Sequence, residues 1–199
     1  MNVLDGDSQL VGPYACEAHT MRAGNQGEVV ETRDILVDAY GRILEGVRRV
    51  THGLDEAALT YRPDANANSI GWLVWHVLRV QDHHVSDVAQ RGQAWIDEGW
   101  SERFGMAAEP NNVGYGHTTD QVARVRISDP QILCDYADVV HARTLEYIDT
   151  ADAAELSRIV DTRWDPPVTA GVRLVSVIGD DMQHLGQAAY VRGLYERLG

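Results

Sequence analysis

Residues 69–92, SIGWLVWHVLRVQDHHVSDVAQRG, decide the fold class. Ser69 is an N-cap residue type, and Ile70, Leu73, Val74, Val77, Val80 and Val88 recur every three or four positions, so the segment reads as an amphipathic helix that stops near Gly92. The same period appears on both sides of it. From Thr32, the residues Ile35, Leu36, Ala39, Tyr40, Ile43, Leu44, Val47 and Val50 make one apolar stripe. A third helix opens at Asp129-Pro130, with Pro suited to the first helical position, and carries Ile132, Leu133, Tyr136, Val140, Leu145 and Ile148. After Pro166-Pro167, Thr169 caps a fourth helix running through Val177, Met182, Leu185 and Val191. No strand alternation of comparable strength is present. Four long stripes bury one another most simply as a four-helix bundle, an all-α fold. The connection between helices two and three, residues 91–128, is long for a bundle, and long connections often carry function. Residues 1–30 have no sustained period and are read as a mobile extension before a bundle domain at residues 31–199.

Composition removes several functions. The chain of 199 residues sets 17 Lys and Arg against 30 Asp and Glu, a formal charge of −13. Its one pair of adjacent basic residues is Arg48-Arg49, too little positive surface for a nucleic-acid partner or an anionic membrane. Cys16 and Cys134 sit in unrelated contexts, which gives neither a disulfide framework nor a thiolate metal motif. With no basic leader ahead of an apolar run and no long apolar segment, the expectation is a cytoplasmic protein.

Chemistry is concentrated in residues 179–193, GDDMQHLGQAAYVRG. Asp180 and His184 are four apart and share a helix face, with Gln187 continuing the row, while His76 holds the corresponding border of the second helix. Two imidazoles and one carboxylate suit Zn²⁺ or another divalent first-row metal and leave coordination positions open. An ionised aspartate against apolar neighbours is costly unless a cation offsets it. Set against this, a border histidine is often only a hydrogen-bonded structural residue, and the D-x-x-x-H spacing is common. Asp181 points about 100° away from Asp180, so the two acids do not form a catalytic pair. His83 is placed behind the ligands as a support, and His117 in GYGHT, Trp164 in RWDPPVT and Gln187 are placed around the substrate.

The segments SIGWLVWHVLRVQDHH, GYGHT and RWDPPVTAGVRLVSVIGDDMQHLGQAAYVRG resemble the DinB-like superfamily, and within it the mycothiol-dependent branch that includes mycothiol S-transferases and maleylpyruvate isomerases. The likeness spans about residues 30–197. It implies a four-helix bundle with a divalent metal, usually zinc, whose ligands carried over by position are His76, Asp180 and His184. Asp180 departs from the all-histidine pattern, so Ni²⁺ or Fe²⁺ stands beside Zn²⁺. The resemblance further implies a thiol S-transferase of detoxification or thiol metabolism. Mycothiol would be the co-substrate, its metal-bound thiolate the nucleophile toward an electrophilic small molecule, and a homodimer the expected assembly. A hydrolase or isomerase using the same centre, and a non-enzymatic ligand- or protein-binding bundle, are the other readings.

Overall fold

The computed structural model describes residues 29–198, so the reading of residues 1–30 as a mobile extension falls almost wholly outside the described residues. The described chain is mostly helical, in agreement with an all-α class. Four long helices dominate: α1 (Thr32–Thr51), α3 (Ile70–Val88), α7 (Pro130–Thr150) and α9 (Ala170–Tyr195). Between them lie the short helices α2 (Glu56–Thr60), α4 (Ala94–Asp97), α5 (Trp100–Arg103), α6 (Thr119–Arg124) and α8 (Ala153–Ser157), and a two-stranded antiparallel hairpin, β1 (Ile159–Asp161) and β2 (Val168–Thr169). α3 lies against α9 and α7, and α1 against α7 and α9. Among the described residues, no helix is long and apolar enough to cross a membrane.

Local chemistry sets these boundaries. The Ser69 hydroxyl accepts from the Trp72 amide, Asp129 from Gln131 ahead of Pro130, and Thr169 from Val172, which satisfies amides that a helix start leaves without partners. α3 ends at Val88, four residues before the expected Gly92. Gln90 takes a left-handed conformation (φ 54°), its amide bonds to Asp87 O, and the Arg91 amide bonds to Ser86 O, so the chain turns there by a motif usually served by glycine. The hairpin β1–β2 and helices α4 to α6 are too short to impose a period, which is why only the long helices were visible in the pattern.

The apolar stripes meet as expected, with Tyr40, Ile43 and Val47 of α1 packing in one core with Leu73 and Val77 of α3, Leu133 and Val140 of α7, and Leu174 and Leu185 of α9. Ile35 and Met182, counted with the stripes, lie outward at 61% and 46% exposure. α3 departs from a one-sided helix: Trp72, Trp75, Arg79, Gln81 and Asp82 are buried as well. Its second face is covered by the 91–118 segment, which a network centred on Asp82 fastens in place. That carboxylate accepts from the Ala94 and Trp95 amides, from Tyr136 Oη and from Arg79. Arg79 also donates to Gln93 Oε1 and to the Pro110 and Asn112 carbonyls, so two buried charges are paired and hydrogen-bonded together.

Candidate metal centre

α3 and α9 run side by side so that His76 meets Asp180 and His184. His76 Nε2 lies 3.7 Å from Asp180 Oδ2, and His184 Nε2 lies 3.7 Å from Asp180 Oδ1. The two imidazoles meet edge to face with centroids 4.6 Å apart. Among the described residues, these three alone form a group of His, Cys, Asp or Glu with ligand atoms mutually close, all within 4.8 Å. Tetrahedral ligands about 2.0–2.1 Å from a cation stand roughly 3.3 Å apart, and the two histidine–aspartate separations of 3.7 Å are within a few tenths of an ångström of that.

Each imidazole is oriented through its other nitrogen. His76 Nδ1 bonds to the Val113 carbonyl, which only accepts, so the hydrogen is on Nδ1 and the Nε2 lone pair is free. His184 Nδ1 bonds to Gln187 Oε1 at 2.8 Å and is fixed in the same tautomer. Trp72 stacks on the His76 ring at 4.9 Å. Burial, ahead of the neighbouring histidines, lowers the His76 pKa and keeps the ring neutral, the form in which it can ligate. Asp180 Oδ2 is shielded from solvent and has no hydrogen-bond partner. A carboxylate whose Oδ2 has no donor, with one imidazole nitrogen beside each of its oxygens, fits a divalent cation: His76, Asp180 and His184 could hold one.

Asp181, next in sequence, differs completely. It is fully buried, neither oxygen has a partner, and desolvation, with Asp180 adding, pushes its carboxyl well above the usual range.

The trio closes one end of a cavity of about 470 Å³ between α3 and α9. Trp72, Val80, Val113 and Val177 supply an apolar wall, while His84 and Arg173 line the cavity beyond the trio. Gly114, Tyr115 and Gly116 lie over it; both glycines have positive φ, and Tyr115 between them is 93% exposed.

The other residues singled out in the sequence take different places. Gln187 contacts His184 rather than the cavity. His117 has both ring nitrogens engaged, Nδ1 accepting from Trp72 Nε1 and Nε2 bonded to Asn112 Oδ1, and it is not among the residues lining the cavity. Trp164 is 65% exposed and likewise not among them. His83 pairs with Gln93 and stacks edge-on against His84, without touching the trio. Sequence reasoning missed the Val113 carbonyl, which no side-chain pattern reveals. It also missed Arg173, which the α9 row does reveal, since Arg173, Asp180 and His184 follow at seven and four residues.

The family model described as mycothiol-S-transferase matches residues 35–197. A solved structure, described as "Crystal structure of the conserved protein of locus from Enterococcus faecalis", is 30% identical, covers 82% of this chain and 96% of its own, and superposes with a TM-score of 0.76. No curated protein matches the chain.

Proposed function

The chain belongs to the mycothiol-S-transferase family, and from that premise we propose that it is a metal-dependent thiol S-transferase joining mycothiol to an electrophilic small molecule, within a four-helix bundle spanning residues 31–199. The observation that carries this reading is the trio itself: two histidines with Nε2 free and Nδ1 occupied, and a buried carboxylate oxygen without a donor, at the end of an apolar cavity. In this reading His76, Asp180 and His184 are the ligands. A divalent cation, Zn²⁺ with Ni²⁺ or Fe²⁺ as alternatives, would lower the pKa of a thiol beside it and so supply thiolate at neutral pH.

The chain's own residues do the rest. The Val113 carbonyl and Gln187 hold the two imidazoles in the ligating tautomer. Trp72, Val80 and Val177 exclude water from the reacting groups and hold the electrophile's body near the sulfur. No protein thiol is needed there: Cys134 lies on α7 against Thr51 Oγ1.

Elemental analysis and a conjugation assay on wild type beside His184→Ala test the reading. Wild type should carry about one equivalent of metal and conjugate a thiol to an alkyl halide in a thiol- and metal-dependent way, and the variant should lose most of both. Equal metal content in the two proteins removes His184 as a ligand. Turnover without added thiol replaces the transferase by a hydrolase using the same centre.

A further inference from the structure

We propose that Arg173 is the specificity-determining residue of this cavity and that the electrophile it selects is anionic, an apolar body ending in a carboxylate; this rests on the S-transferase reading of the metal end.

Arg173 is seven residues before Asp180 on α9, two turns or about 10 Å along the axis. It therefore lies at the far end of the cavity from the trio, next to His84, which is two turns beyond His76 on α3. A guanidinium has five N–H donors. Among the described residues, the Arg173 guanidinium makes a single hydrogen bond, from Nη2 to Asp161 Oδ2 at 2.9 Å, and its Nε is buried without a partner. Asp161 does not serve it alone. That carboxylate is also gripped by Arg163, through Nε at 2.9 Å, Nη2 at 2.8 Å and the backbone amide at 3.0 Å. Two guanidiniums thus share this carboxylate, and Asp87, which also acts on Arg163, is not among the residues lining the cavity. Arg163 is 83% exposed and solvated, whereas the Arg173 side chain is only 18% exposed, so the guanidinium on the cavity side is that of Arg173.

Among the described residues that line the cavity, nothing beside Arg173 balances it. His84 is kept neutral, its pKa lowered to about 4 by burial first and then by His83 and Arg173. The one carboxylate lining the cavity, Asp180, belongs to the trio two turns away. In a chain of formal charge −13, a partly desolvated cation with spare donors at the end of an apolar slot is matched by a carboxylate, which guanidinium binds through paired hydrogen bonds. The slot between them, walled by Val80 and Val177, fits an apolar spacer such as an aromatic ring. The reactive carbon would then lie at the metal end. There the thiolate sulfur forms a bond to that carbon, the carbon–halogen bond breaks and halide leaves with its electron pair, the thiol proton having passed to solvent.

Two matched probe pairs test this. For turnover, 4-(chloromethyl)benzoate is compared with 4-(chloromethyl)benzamide at fixed thiol. For binding, unreactive 4-methylbenzoate is compared with 4-methylbenzamide by quenching of tryptophan fluorescence, Trp72 lying in the wall. Wild type should prefer each acid over its amide by about tenfold or more in kcat/KM and in Kd, and Arg173→Gln should bring both ratios close to one, with Arg173→Lys between. Equal affinity of wild type for the two unreactive ligands overturns the proposal without recourse to any variant. So does an unchanged ratio in folded Arg173→Gln. A change confined to the KM of the thiol also overturns it, by moving the anion to the co-substrate. If binding discriminates while neither chloride is conjugated, Arg173 stands and the S-transferase reading falls.

Discussion

At the scale of single residues, the centre depends on which nitrogen of each histidine is left free. His76, Asp180 and His184 were legible in the sequence because helical spacing puts two of them on one face and the third on the border of another stripe. The tautomers were not legible. They are set by a backbone carbonyl 37 residues from His76 and by Gln187, which spacing placed near the substrate. Burial gives a separate consequence at His84, whose folded-state pKa is about 4 against 6.5 for the free side chain. Between those values the unfolded chain binds a proton that the native protein refuses, so stability is lost as pH falls from about 6.5 to 4 and is recovered above it. His84→Gln should therefore show a shallower acid limb in a plot of Tm against pH over that interval, with the curves differing least in slope above pH 7. Parallel curves throughout would mean that His84 titrates alike in both states.

At the scale of elements, the starts of α7 and α9 follow from Asp129-Pro130 and Thr169, and the periodic stripes behind these caps were enough to locate them. What the pattern left out is the 91–118 segment, whose conformation comes from a few long-range bonds to Arg79 and Asp82 rather than from any repeat. One tightly constrained point in it is Gly114, at φ 94°, where an added Cβ would stand 2.9 Å from Trp72, 3.0 Å from Trp75 and 3.1 Å from His76 Nδ1. A side chain there must push the loop away from α3 and draw the Val113 carbonyl off His76. Gly114→Ala is expected to cost about 1–3 kcal/mol of stability in urea denaturation. It should also weaken metal binding about tenfold or more in chelator competition. An unaltered metal affinity would show that His76 is oriented without this carbonyl.

For the whole molecule, the two helices that supply the trio come from distant parts of the chain, and a shared cation would tie them together only in the folded state. At a hundredfold excess over Kd, such a ligand adds about 2.7 kcal/mol, which for a chain of this size raises Tm by about 5–10 °C. A thermal scan with Zn²⁺ and then excess chelator should show that rise and its reversal in wild type, with far-UV dichroism at low temperature unchanged, and neither in Asp180→Ala. The overall charge and the four long helices were plain from the sequence. The cavity was not, because its walls are assembled only when α3, α9 and the 113–116 loop converge. That convergence fixes one distance in the coding sequence, from the cap at Thr169 to the pair Asp180-Asp181. Point changes along it alter single contacts, whereas loss of one codon would turn Asp181 into the place that faces the two histidines, and gain of one would carry Asp180 into the dry place of Asp181.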